Sequence, residues 1–214
     1  SLAHYDNPMI HYIIIFFMFL AGINFSLHFH AMSGSIKTYF RDTEFLVYFL
    51  IIMSISSIIL FSLSYQSNTF SDLTVRESLF GTIAMLTGTG YVLGDYELWP
   101  VFLQMILLTL MFIGGMGGST TGGMKVIRVL LLAKYASLET RRMLHSRALL
   151  PVKIGKQLIK EDVVRNTLGF FLFFMSAFII SAILLSTMGL DIESSIGAAA
   201  SAMGNIGPAF GQFG

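Results

Sequence analysis

Two glycine-rich segments contain the residue types of a cation site built from backbone carbonyl groups. They are residues 87–91, which read Thr-Gly-Thr-Gly-Tyr, and residues 204–208, which read Gly-Asn-Ile-Gly-Pro. Glycine adopts backbone angles that residues with a Cβ atom rarely adopt, so Gly88, Gly90, Gly204 and Gly207 can aim successive carbonyls at one axis. Rings of carbonyls can replace the water around a potassium ion. The candidate ion-binding residues are Thr87, Gly88, Thr89, Gly90, Asn205, Ile206 and Gly207.

A third cluster lies at residues 114–123, where six of ten residues are glycine. Each glycine in a helix costs about 1 kcal/mol relative to alanine, so a continuous helix is disfavoured here. An alternative remains, because Gly114, Gly118 and Gly122 repeat at four-residue spacing, as on a close-packed helix face. The candidate loop residues are Gly114, Gly115, Gly117, Gly118, Ser119, Thr120, Thr121, Gly122, Gly123 and Lys125. We expect a weakly held loop, with Lys125 at its cytoplasmic end.

Other chemistries fit this chain less well. A phosphate-binding P-loop requires lysine directly after Gly123, but Met124 intervenes. A serine hydrolase would need a base for Ser119, and every histidine except His145 precedes residue 45. The chain has no cysteine, which excludes thiol catalysis and cysteine-bound zinc. We therefore do not expect an enzyme.

The elements that must position these residues lie in a membrane. Hydrophobic residues make up 55% of the chain and charged residues only 12%, and mean hydropathy is +0.75. A spanning helix needs about 20 apolar residues, and the uncharged segments that qualify are 9–29, 45–63, 98–124 and 166–190. Segments 78–86 and 194–203 are too short to cross, so we expect two half-helices. A net charge of +1 argues against nucleic-acid binding.

Basic residues predict the orientation, because short loops rich in lysine and arginine stay on the cytoplasmic side. Of the thirteen, only Arg76 lies outside two regions, namely residues 37–41 and residues 125–165. We therefore expect the segment from Lys134 to Arg165 to be cytoplasmic. Segments 64–98 and 191–214 should lie outside, where Trp99, Tyr96 and Tyr91 would form an aromatic belt.

A weak internal repeat accompanies this pattern. At an offset of 116 residues, segment 77–88 matches segment 193–204 at five of twelve positions. Each copy follows an outward span and precedes a glycine-rich stretch. The unit of span, half-helix, glycine-rich loop and span is therefore expected twice.

The motifs at residues 87–91, 113–128 and 204–208 resemble the Trk/Ktr/HKT superfamily of potassium transporters, and within it the bacterial TrkH type. The resemblance implies an all-α integral membrane fold of repeated M1-P-M2 units with pore half-helices and re-entrant filter loops. Residues 1–44 would hold the M2 helix of repeat two, 45–133 repeat three, 134–165 a basic cytoplasmic segment and 166–214 repeat four. Repeat one, the pore loop of repeat two and the last M2 helix would be absent from the chain.

The same resemblance implies potassium uptake through a selectivity-filter pore, with residues 114–125 as an intramembrane gate loop. The expected partners are K⁺, the lipid bilayer and a cytoplasmic nucleotide-binding regulatory subunit; K⁺ is the permeating ion and no covalent cofactor is expected. The location would be the inner (plasma) membrane, and a homodimer is left open. Two alternatives also stay open: an ion-coupled secondary transporter with broken helices, and a non-conducting assembly subunit.

Overall fold

The computed structural model describes residues 2–5, 7–144, 151–155 and 157–213. Residues 145–150, including His145, and Lys156 of the predicted cytoplasmic segment lie outside the described residues. The helices are α1 (Pro8–Ala21), α2 (Phe25–Met32), α3 (Lys37–Arg41), α4 (Thr43–Ser67), α5 (Asp72–Thr87), α6 (Val101–Ile113), α7 (Val126–Leu144), α8 (Glu161–Thr187) and α9 (Ile192–Gly204). Between α7 and α8, the strands β1 (Lys153–Ile154) and β2 (Gln157–Leu158) pair antiparallel.

Within this described part, α4 and α8 are each long and apolar enough to cross a membrane. Helices α1 and α2 pass the same test only as a pair, and they meet at an angle of 102°. The prediction of one uninterrupted span over residues 9–29 is therefore wrong. The side chain of Asn24 accepts a hydrogen bond from the Ser26 amide at 2.8 Å, so Asn24 starts a new helix after the bend.

The two predicted half-helices are present as α5 and α9. Helix α5 begins at Asp72, six residues before the predicted start, because Ser71 Oγ accepts the Thr74 amide at 3.1 Å and caps it. Its 16 residues reach about 24 Å at 1.5 Å per residue, which is still short of a bilayer core. Helix α6 packs against both α5 and α9, so one helix separates and supports the two half-helices.

Trp99 and Tyr96 are buried, with 7% and 5% of their surface exposed. Their rings meet edge to face at a centroid distance of 4.7 Å. A Cβ atom added to Gly81 of α5 would lie 3.2 Å from the Trp99 ring, so this pair supports the half-helix directly. The expected aromatic belt is therefore wrong for both residues, whereas Tyr91 is 48% exposed.

Helix boundaries differ from the predicted domain boundaries on the basic side of the chain. Helix α7 continues past residue 134 to Leu144, and α8 begins at Glu161 rather than residue 166. Between them, Leu131, Val152 and Val164 form a small separate hydrophobic cluster. The division of the chain into family repeats stays a prediction.

Candidate functional site

The two predicted filter segments lie in backbone contact. A Cβ atom added to Gly90 would lie 1.7 Å from the carbonyl oxygen of Ile206, and one added to Gly88 would lie 3.0 Å from that of Gly204. A distance of 1.7 Å leaves no room for any side chain. The fold therefore brings together two segments that are far apart in sequence, and it does so through glycine.

Both segments use left-handed backbone angles, but the pairing differs from the predicted repeat. The φ angles are +65° at Gly88, +69° at Gly90, +53° at Asn205 and +111° at Gly207. Gly204 belongs to α9 instead, so the expected special conformation at Gly204 is wrong. Asparagine tolerates this conformation better than most residues. Gly88 thus corresponds to Asn205 and Gly90 to Gly207, which shifts the repeat offset at the loops from 116 to 117.

The loop amides bond back to their half-helices. Thr89 donates its amide hydrogen to Ala84 O at 3.1 Å and Ile206 to Ser201 O at 2.9 Å. Gly207 donates its amide to Ser201 Oγ at 3.0 Å. Within the described residues, no hydrogen bond reaches the backbone carbonyls of Gly88, Thr89, Gly90, Asn205, Ile206 and Gly207. Such carbonyls carry free lone pairs, which suit a cation that has shed its water.

Residues 114–125, between α6 and α7, form no helix. The alternative of a continuous, close-packed helix face is therefore wrong. Three hydrogen bonds close the base of this loop: Met124 N–H to Phe112 O at 3.0 Å, Lys125 N–H to Ile113 O at 2.8 Å and Val126 N–H to Gly115 O at 2.9 Å. The chain thus leaves α6, makes an excursion and returns to the same place. We call residues 114–125 the gate loop, after its expected role, which stays a prediction.

The gate loop docks into the bend between α1 and α2. Three hydrogen bonds join them: Met116 N–H to Gly22 O at 2.9 Å, Phe25 N–H to Gly118 O at 3.2 Å and Thr120 Oγ1 to Ala21 O at 3.3 Å. Non-helical backbone at membrane depth requires protein or water partners. The broken span and the broken helix therefore satisfy each other's backbone groups.

Lys125 folds back onto the gate loop. Its ammonium group donates hydrogen bonds to the carbonyl oxygen of Thr121, to Thr121 Oγ1 at 2.9 Å and to Ser119 O at 3.4 Å. Thr121 Oγ1 also accepts the Gly115 amide at 3.0 Å. The loop's own oxygens therefore surround the ammonium group. The expected position of Lys125 at the cytoplasmic end of the loop stays a prediction. The expectation of a weakly held loop also stays a prediction.

Glu44, at the start of α4, also holds the loop, and the sequence patterns did not single it out. Its Oε1 atom accepts the Gly117 amide at 2.6 Å and the Ile127 amide at 3.0 Å. Glu44 is 8% exposed. A carboxylate in the first turn of a helix is common, so only its position beside a membrane span could have drawn attention to it. Its partners lie 73 and 83 residues away.

The gate loop also touches the filter segments. A Cβ atom on Gly122 would lie 2.0 Å from the carbonyl oxygen of Gly204, and one on Gly88 would lie 3.6 Å from the Gly122 amide nitrogen. The loop therefore abuts both filter segments.

A polar cluster ties α1 to α5 near the start of the half-helix. Arg76, 8% exposed, pairs with Asp72 at 2.8 Å, and its Nη1 lies 2.8 Å from His11 Nδ1. The Tyr12 hydroxyl donates to Asp72 Oδ1 at 2.7 Å. Hydrogen bonding from Tyr12, and then from Arg76, lowers the pKa of Asp72 below its usual value. Arg76, the exception to the charge pattern, is thus buried and paired.

A family model described as a cation transport protein, TrkH, matches residues 1–213. This chain belongs to the TrkH family. The Trk system potassium uptake protein TrkH of Escherichia coli strain K12 is 34% identical over 99% of the chain, and its TrkG counterpart is 31% identical over the same share. The chain spans 44% of the length of both relatives.

The fold agrees with this membership. The crystal structure of the potassium transporter TrkH from Vibrio parahaemolyticus matches with a TM-score of 0.92 and 32% identity, covering 100% of this chain and 46% of the other. The predicted all-α, multi-pass membrane fold is thereby confirmed. The relatives are named for transport rather than for an enzymatic reaction, which agrees with the prediction that the chain is not an enzyme. Among the described residues, no group of three or more His, Cys, Asp or Glu side chains could hold a metal ion.

Proposed function

We propose that this TrkH-family chain forms part of a potassium uptake pathway, in which the carbonyls of residues 87–90 and 205–207 bind K⁺. The observation that carries the proposal is the contact between the two segments, where Gly90 admits no Cβ atom beside Ile206 O. Potassium uptake is the activity for which the similar proteins are named. The rest of a longer protein supplies the other strands needed to surround the ion.

Each half-helix contributes electrostatically. Helix α5 ends at Thr87, the first residue of its filter segment, and α9 ends at Gly204, directly before residues 205–207. The carboxyl end of a helix carries a partial negative charge, which favours a cation nearby. A K⁺ ion at these carbonyls is therefore stabilised both by its oxygen ligands and by the partial negative charge of the helix ends.

The gate loop obstructs the pathway on the cytoplasmic side of the filter until it moves. Its Gly122 abuts Gly204, so an ion leaving the filter meets the loop next. The secondary-transporter alternative is less well supported, because the loop's hydroxyls are engaged within the protein. Ser119 Oγ, for example, donates to Met116 O at 2.5 Å.

The protein lies in the inner membrane, with residues 134–165 in the cytoplasm. A nucleotide-binding regulatory subunit docks on this face and controls the gate loop, and ion symport couples uptake to a gradient. A homodimer is compatible with this membrane orientation. The charge asymmetry of the chain supports the orientation.

The filter assignment is tested by replacing Gly90 and Gly207 by serine in the full-length protein and measuring Rb⁺ against Na⁺ uptake. We expect both changes to reduce the ratio, and Gly90→Ser more strongly, because its Cβ atom collides with Ile206 O. Gly34→Ser is the control: Gly34 also has a positive φ, +93°, and open space around it, but lies outside the filter. Unchanged ratios in both filter variants contradict the assignment.

The gate assignment is tested by deleting residues 117–122 and measuring flux together with surface expression. We expect higher flux with retained Rb⁺ over Na⁺ preference, because the obstruction goes and the filter stays. A well-expressed deletion with flux no greater than wild type contradicts the gate. The same flux measurement tests the alternative of a non-conducting assembly subunit, which predicts no flux in the wild-type protein.

A further inference from the structure

We propose that Glu44 is the latch that sets the resting position of the gate loop. The proposal rests on the proposed function only where it concerns ion flux; the position of the loop is a separate readout. Glu44 contacts no filter residue, so we assign it a positioning role.

One carboxylate oxygen of Glu44 binds two elements at once. Oε1 accepts the amide of Gly117, inside the gate loop, and the amide of Ile127, the second residue of α7. Amides in the first turn of a helix lack a partner within the helix, and its positive end attracts an anion. The Ile127 bond therefore anchors the carboxylate, and the Gly117 bond is the one that holds the loop.

The latch stands on a fixed support. Asp42 caps α4, since its Oδ1 accepts the Phe45 amide at 2.8 Å. One turn beyond Glu44, Tyr48 is fully buried and donates its hydroxyl to Phe19 O at 3.1 Å. Helix α4 therefore presents the carboxylate at a set position, and the loop moves relative to it.

Opening the gate loop requires the Gly117 amide to leave Oε1. Hydrogen bonds to a charged group are stronger than neutral ones, and breaking the Gly117 bond leaves Oε1 with the Ile127 amide alone. Glu44 thus biases the loop toward the obstructing position. Glutamine retains an oxygen acceptor of similar reach without the charge, and alanine removes the acceptor.

The test uses Glu44→Ala and Glu44→Gln in the full-length protein, with Rb⁺ flux and the thiol labelling of a Thr120→Cys reporter in the exposed part of the loop. We expect flux to rise about tenfold for alanine and less for glutamine, in line with the loss of one charge-assisted hydrogen bond. Labelling should accelerate in the same order, with the Rb⁺ to Na⁺ ratio unchanged. Ser57→Ala is the control on the same helix, because the Ser57 hydroxyl donates to Met53 O at 2.7 Å within α4, away from both Glu44 and the loop. It should leave both readouts at wild-type values.

Different outcomes contradict the proposed role of Glu44 and the proposed role of the gate loop. Labelling rates equal to wild type in Glu44→Gln and Glu44→Ala overturn the latch, even if the deletion of residues 117–122 raises flux and so supports the gate. If labelling accelerates but neither the variants nor the deletion raise flux, the latch stands and the gate fails. Should the alanine variant not reach the membrane, the isosteric glutamine variant alone decides: unchanged labelling overturns the latch.

Discussion

The carbonyl oxygen of Gly204 occupies the space that a side chain on Gly122 would need, at 2.0 Å from the Cβ position. The gate loop and the end of α9 are therefore in direct backbone contact. Neither surface can shift toward the other, so any displacement of the loop must be away from α9.

Gly122→Ala should raise Rb⁺ flux, because a Cβ atom forces the loop away from Gly204 while α9 keeps the filter segment in place. Gly117→Ala is a close control: its Cβ atom would lie 3.2 Å from Ile127 Cγ2 and at ordinary contact distances of 3.6 and 3.7 Å from the two Glu44 carboxylate oxygens, and its amide remains for Glu44. Neither glycine has a positive φ, so the comparison isolates the contact. Flux in the Gly122 variant equal to that of the Gly117 variant, at similar expression, contradicts this prediction.

Cysteine labelling in intact cells should place the two sides of the chain. Ser137→Cys, exposed on α7, should resist an impermeant thiol reagent, whereas Thr69→Cys, exposed between α4 and α5, should react. The chain has no cysteine of its own, so within it only the introduced cysteine can react with the reagent. Strong labelling of Ser137→Cys from outside, with Thr69→Cys protected, would reverse the orientation.

Composition and glycine spacing predicted the half-helices, the helix break at residues 114–125 and the segments that meet at Gly90 and Ile206. These features have local causes, since glycine and hydropathy act on the chain nearby. The bend at Gly22 was not predicted, because residues 9–29 carry no charge and the bend is completed by a contact with Met116. Gly22 and Asn24 are the residues in the sequence that could have indicated it. The role of Glu44 was hidden because its partners come from distant parts of the chain.

Asp72→Asn should lower the thermal stability of the full-length protein at neutral pH. The hydrogen bond from Tyr12, and then that from Arg76, lowers the pKa of Asp72. The carboxylate therefore contributes stability above its ordinary pKa of about 4, and loses it as the pH falls through the folded-state pKa. The difference in Tm between wild type and variant should thus shrink below about pH 4.

Glu97→Gln provides the comparison for Asp72, because Glu97 is exposed and its carboxylate forms no ion pair in the described part of the chain. It should leave Tm near wild type across the pH range. A Tm difference for Asp72→Asn that persists unchanged into acid would show that the charge of Asp72 is not its cause.

Three hydrogen bonds close the base of the gate loop: Met124 and Lys125 bond to Phe112 and Ile113 at the end of α6, and Val126 bonds to Gly115 at the start of the loop. They have a mechanical consequence. They splice α6 to α7, so the excursion between them can change shape while both helices stay where they are. The twelve residues of the loop can then control the passage of ions while the surrounding helices keep their positions. Motions of single loops occur in nanoseconds to microseconds, faster than those of whole domains. The gate loop can therefore open and close without changing the contacts between the helices and the lipid.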